Sequence, residues 1–96
     1  MAAYVIVEIE VTDPELYETY KTQAPAAVAA YGGMYIARGG RTQVLEGDWS
    51  PKRLVILEFE TFEQAVAWWN SPEYSAIKGI RQQATVSKMV ALEGVG

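Results

Sequence analysis

Three charged side chains stand inside otherwise apolar, strand-like runs: Glu8 in "AYVIVEIEV", Arg38 in "MYIAR" and Glu58 in "KRLVILEFE". A guanidinium flanked by carboxylates and phenols can hold a small anionic or phenolic ligand. A glutamate in apolar surroundings has its pKa raised and can act as a general base. Tyr4 and Tyr35 belong to the same runs, and Trp49 sits in the turn-rich "GDWSP" between two of them. Glu58, Arg38 and Glu8 are therefore the candidate catalytic residues, with Tyr4, Tyr35 and Trp49 as candidate ligand contacts. The competing reading is structural: Arg38 pairs with Glu58 and Glu8 so that no buried charge stands alone. Breaking such a pair costs about 3–5 kcal/mol, reason enough for it to persist without a ligand.

Whether the three meet depends on strand register. If Glu46 faces Lys52 across the turn, antiparallel counting puts Arg38 opposite Glu60. A bulge at Gly39-Gly40 shifts that partner toward Glu58. The strand of Glu8 lies beside that of Glu58, so all three are expected on one sheet face, near Tyr4. Tyr35 has the opposite parity to Arg38, and the bulge decides whether it joins them.

The positioning elements follow from periodicity. In the first run Val5, Val7, Ile9 and Val11 face one way and Tyr4, Ile6, Glu8 and Glu10 the other. "TDPE" signals a helix start, with Thr12 and Glu15 at capping-box spacing and Pro14 tolerated in the first turn. Leu16, Tyr17, Tyr20, Ala24, Ala27, Val28 and Tyr31 form its stripe, with the tyrosine hydroxyls expected at the rim. Pro25 is expected to kink or split this helix, and Gly32-Gly33 to stop it. "MYIAR" is a second strand, continued past the glycines by "RTQVLE"; "KRLVILEFE" returns as the third. Thr61 and Gln64 open another helix, with Phe62, Ala65, Val66 and Trp69 at helical spacing; Ser71 and Pro72 open a short further one, and "ATVSKMVALEG" is the closing strand.

The order β-α-β-β-α-β is the ferredoxin-like α+β plan: one antiparallel sheet, strand order 4-1-3-2, helices on one face. Tyr4, Ile6, Leu54 and Ile56 make the other face too apolar for water, which points to a covering partner. A homodimer packed sheet to sheet is the economical one.

Composition removes several function classes. In 96 residues there is no cysteine and no histidine, which excludes disulfides, thiol catalysis, histidine-ligated haem, the usual zinc sites and a Ser-His-Asp triad. A net charge of -4 argues against nucleic acid as a partner. No apolar run is long enough to span a membrane. "MAAYVIVEIEV" lacks a basic leader and carries glutamates, so it reads as a strand, and a cytoplasmic location is expected.

Taken together, "YVIVEIEVTDPELYETY", "AYGGMYIARGG", "VLEGDW", "RLVILEFETFEQAVAWWNSPEY" and the closing strand resemble a bacterial family known only as domain of unknown function 1330. The resemblance covers nearly the whole chain as a single domain, residues 1–96, and implies the dimeric α+β barrel superfamily. It transfers no catalytic residue. The superfamily includes cofactor-free quinone-forming monooxygenases, lactone isomerases and haem enzymes, and the last conflict with the missing histidine.

Other features read more plainly. Trp49 either covers the barrel mouth as a lid or packs, with Asp48 organising the turn. Trp68 and Trp69, about 100° apart on a helix, place one ring in the core and one near the rim. Gly39-Gly40 opens no helix and reads as a bulge rather than a phosphate loop. Glu8, Glu10, Glu58 and Glu60 have the ligand type for magnesium or calcium, but alternating carboxylates are the polar face of strands, and no metal is expected. The expected function is to bind or transform a small aromatic or carboxylated metabolite without a cofactor, in monooxygenase- or isomerase-like fashion. In that chemistry Glu58 or Glu8 is the base, Arg38 the charge stabiliser and a tyrosine the donor. The alternative is a non-catalytic dimeric binding or regulatory module whose inner charges are purely structural.

Overall fold

The structure, a computed structural model, describes residues Met1–Gly96. Strand β1 (Ala3–Val11) alternates as expected: Ala3, Val5, Val7 and Ile9 are buried, while Tyr4, Ile6 and Glu8 are half-buried on the opposite face. Helix α1 (Pro14–Ala30) is capped by Asp13, whose carboxylate accepts from the Leu16 N–H at 3.1 Å. The expected cap at Thr12 is thus off by one. Asp caps as well as Thr, and with Asp13 as cap Pro14 falls at the first helical position, where a missing N–H costs nothing. The Thr12 and Asp13 amides instead donate to the Ala84 carbonyl, at 2.8 and 3.1 Å, tying this corner to the end of a later helix.

Pro25 does not split α1, which runs through it as one element. The chain stops at Gly32-Gly33 by the αL route. The Gly32 N–H donates to Ala29 and the Gly33 N–H to Val28, both at 3.0 Å, with Gly32 at φ 74°. Gly33 is needed for space: a Cβ there would lie 2.5 Å from the Phe59 ring.

Strand β2 (Met34–Arg38) pairs with β3 (Arg53–Phe59), which pairs with β1. The bulge lies at Ile36, between Tyr35 and Ala37, and not at the glycine pair. "RTQVLE" is not a strand either. Gly39, at φ 67°, turns the chain out of the ladder, and no strand stands opposite residues 41–46 for them to pair with. Residues 39–52 form a largely exposed loop that folds across the sheet instead.

Helix α2 (Phe62–Trp69) starts on the expected Thr61 cap, which accepts from the Gln64 N–H at 3.1 Å. Ser71 caps α3 (Pro72–Ala84) in the same way at 3.0 Å. This helix is longer than expected and passes directly into β4 (Thr85–Glu93). The sheet order β2-β3-β1-β4 is the one read from the sequence, and all pairs are antiparallel. The core lies between the sheet and the helices, with Trp68, Tyr74, Phe59 and Val28 its largest fully buried side chains. Trp68 is 1% exposed and Trp69 39%: one ring enters the core and one stays out, but the buried stripe runs through Ala65 and Trp68 and not through Val66 and Trp69. No helix is long and apolar enough to cross a membrane.

The opposite sheet face carries no helix. One row across it reads Val90, Ile6, Ile56, Ala37, and the next Leu92, Tyr4, Glu58, Met34. Met34, Ile36, Val86, Val90 and Leu92 are exposed there.

Candidate functional site

The register places Glu58 opposite Tyr4 and Glu8 opposite Leu54. Both carboxylates lie on the open face, but four strand positions apart, about 13 Å. Glu8 faces Lys88 across β4 and accepts from the Trp49 indole N–H at 3.0 Å. That bond holds the loop 39–52 against the sheet, where Val44, Leu45, Trp49, Pro51 and Leu54 enclose a shallow space. Trp49 is half-exposed, so it packs on the face without closing it.

Arg38 does not join Glu8 and Glu58. The bulge at Ile36 puts Tyr35 opposite Leu57 and Arg38 opposite Val55, both core-facing positions. Tyr35 and Arg38 therefore share the helix side despite their opposite parity. The guanidinium stacks on the Tyr35 ring at 4.4 Å and donates to the Lys21 carbonyl at 3.3 Å. Burial raises the Tyr35 pKa above its ordinary value, only partly offset by the Arg38 charge. The space these two border, with Tyr17, Tyr20 and Trp68, is about 20 Å³, room for one water molecule. The expected triad of Glu8, Arg38 and Glu58 is thus divided between two faces. No three acidic side chains come together as a metal site would need.

A different cluster occupies the helix side. Tyr20 and Tyr74 share a buried hydroxyl–hydroxyl bond of 2.9 Å, so the Tyr20 hydroxyl does not reach the rim. The Arg81 Nε donates to the Tyr74 hydroxyl at 3.1 Å, and its Nη1 donates to the Ser87 hydroxyl. Arg81 is 5% exposed, yet the only ion pair of the chain is Lys21–Glu18 on the surface. Burial above all, and then the neighbouring Tyr74 phenol, push the Tyr20 pKa far above its ordinary value, so this phenol stays protonated as a donor.

The Trp68 ring stacks at 4.2 Å on Tyr74, and its Nε1 is buried without a hydrogen-bond partner. Such an orphan donor is uncommon, because it costs about 1–3 kcal/mol. Trp68 also walls an apolar cavity of about 220 Å³ with Val5, Val66, Trp69, Met89 and Ala91. Sequence reading places one of the two tryptophans in the core without saying that it is Trp68, and does not single out Arg81, Tyr74 or Ser87. One signal is present: Tyr74, Ile77, Arg81 and Ala84 form the buried stripe of α3, and an arginine at such a position is rarely idle.

Comparisons with known proteins agree with this fold. A structure from Rhodopseudomonas palustris, the RPA0582 protein of unknown function, superposes with a TM-score of 0.77 at 18% identity over 99% of this chain and 83% of that one. SnoaB, a cofactor-independent oxygenase from Streptomyces nogalater, gives 0.67 at 11% identity over 99% and 94%. A dimeric protein of unknown function and ferredoxin-like fold from Bacteroides fragilis gives 0.56 at 15% identity over 97% and 96%. No curated protein matches the chain. At these identities the likeness establishes the fold: a ferredoxin-like α+β domain. The model of one family, described as a domain of unknown function (DUF1330), matches residues 2–95, and the chain belongs to that family.

Proposed function

We propose that the chain binds a small aromatic molecule in the cavity walled by Trp68, Trp69 and Met89, as one protomer of a homodimer. The observation that carries this reading is the apolar cavity itself, about 220 Å³, with Trp68, Trp69 and Met89 in its wall. Such walls suit the ring of a phenol, quinone or lactone. The volume suits a one- or two-ring molecule. Thermal stabilisation by a panel of phenols, quinones, lactones and short carboxylates tests it. At least one aromatic member raises the melting temperature, and Val66→Trp, which fills the cavity from an exposed wall position, abolishes that effect. A panel without effect on the wild type refutes the reading.

Turnover without a cofactor is the second reading, favoured by the Arg81–Tyr74–Tyr20 hydrogen-bond chain behind Trp68. Hydroxyl donors beside a fixed cation stabilise an oxyanion as it forms on a bound ring. A fold shared with a cofactor-independent oxygenase is in keeping with this chemistry. In this reading Tyr20 and Tyr74 are donors, whereas Glu8, Glu58 and Tyr4 serve on the open face, and Arg38 with Tyr35 seals the helix side.

The homodimer rests on the open face. Its row of Val90, Ile6 and Ile56, flanked by exposed Met34 and Leu92, is an apolar surface, and a two-fold copy covers it with an identical surface. Sedimentation of wild type and Val90→Lys is the test: a dimer for the first and a folded monomer for the second. A monomeric wild type would remove the proposal.

A further inference from the structure

A groove adjoins the Trp68 cavity and shares two of its walls, Trp69 and Met89. It measures about 330 Å³ and is completed by Arg81, Gln82, Thr85 and Ser87. Its chemistry is the reverse of the chain as a whole. The protein carries a net charge of -4, yet no carboxylate lines this groove. One cation borders it instead: Arg81, buried at its floor. A second, Lys78, lies outside the lining but 3.3 Å from the centre of the Trp69 ring.

Arg81 is the informative residue. A buried guanidinium is ordinarily paired with a carboxylate, because an uncompensated charge out of water is expensive. Here its partners are neutral: the Tyr74 hydroxyl on Nε and the Ser87 hydroxyl on Nη1. Nη2 makes no hydrogen bond within the chain, so its N–H groups are left for a ligand. A carboxylate suits them, because a charge-assisted hydrogen bond is about twice as strong as a neutral one. The Trp69 ring and the Met89 thioether, between the groove and the apolar cavity, suit an arene.

We propose that the groove takes an arene carboxylate, its carboxylate on the Nη2 of Arg81 and its ring between Trp69 and Met89, reaching into the Trp68 cavity. This rests on the aromatic-binding reading above and adds to it the charge of the ligand and the residue that reads it. Arg81 holds the anion directly. Ser87 and Tyr74 are positioning residues that fix the guanidinium plane.

Removing Arg81 would also dismantle a buried network and endanger the fold, so the test leaves it in place. Gln82 is exposed and lines the same groove, so Gln82→Glu sets a carboxylate at the mouth without touching the core. Titration calorimetry in a carboxylate-free buffer compares 2-naphthoate with the isosteric, uncharged 2-naphthamide on wild type and Q82E. Naphthoate should bind the wild type about tenfold tighter, the scale of one charge-assisted pair, and Q82E should abolish that preference while leaving naphthamide affinity unchanged. Equal affinities in the wild type would overturn the carboxylate assignment and leave the aromatic cavity standing. A preference that survives in Q82E would place the anion elsewhere, which also overturns it. If neither probe binds, both readings fall.

Discussion

Arg38 donates to the Lys21 carbonyl, the one acceptor in α1 that Pro25 leaves without its helical N–H. A proline at position 25 removes the donor that would have bonded the carbonyl four residues earlier. The guanidinium from the end of β2 fills that vacancy from outside the helix, while its plane rests on Tyr35. Arg38 and Pro25 are thereby coupled, and the arginine that the sequence marks as catalytic has a structural task.

Double-mutant analysis by urea unfolding measures that coupling. Arg38→Ala alone should cost about 1 kcal/mol, the net value of an exposed hydrogen bond with some cation–π contribution. In a Pro25→Ala background the restored backbone N–H takes the Lys21 carbonyl, and the same substitution should cost measurably less. Equal costs in both backgrounds would show that the two residues are independent.

Glu8 governs the loop. Its carboxylate is the acceptor for the Trp49 N–H, and residues 39–52 have no ladder of their own. Glu8→Ala should release the loop and speed tryptic cleavage after Arg41, whereas Glu8→Gln keeps an acceptor oxygen and should stay close to wild type. Identical cleavage rates in all three proteins would dismiss the bond as a tether.

Alkaline pH should destabilise the fold through tyrosine. Tyr20 and Tyr35 both have pKa values raised in the folded state, burial being the first cause in each. A raised pKa means the folded state holds the proton more tightly than the unfolded chain. Their contribution is complete below about pH 10 and is lost as the pH climbs beyond it, because unfolded tyrosines ionise there. For each phenol that stays protonated the loss is about 1.4 kcal/mol per pH unit. Unfolding followed from pH 9 upward should steepen accordingly, and Tyr20→Phe should lower stability at neutral pH while flattening the alkaline decline. An unchanged alkaline slope in that variant would contradict the assignment.

Two glycines should respond in opposite directions. An alanine at Gly33 would press its Cβ to 2.5 Å from the Phe59 ring and 2.8 Å from Val28, so a loss of about 1–3 kcal/mol is expected. Gly79, exposed within α3, has nothing within 4 Å of an added Cβ. There alanine should stabilise by about 1 kcal/mol, the helix propensity difference. Thermal unfolding of both variants reads the contrast directly.

Much of this architecture is local information. Alternation in β1, capping residues Thr61 and Ser71 and the stop at Gly32-Gly33 are each specified within a few neighbours, and so element types and order can be read in one dimension. The sheet order follows because few topologies join such elements without crossing. That Trp68 and Trp69 diverge needs only helical geometry, whereas which of them is buried is decided by how α2 packs.

Where side chains meet is another matter. A single extra residue reverses the face of everything beyond it on a strand, and a bulge at Ile36 rather than at Gly39-Gly40 sends Arg38 to the helices and away from Glu8 and Glu58. Periodicity carries no record of where a bulge falls, because its position is set by which register buries more apolar surface. The same holds for Tyr20, Tyr74 and Arg81, joined only when α1 and α3 pack. Composition and spacing were enough for the fold and for the apolar character of the open sheet face. The contact that makes Arg81 a buried cation without a carboxylate arises from packing, since an ion pair is defined by distance in space and not by separation along the chain.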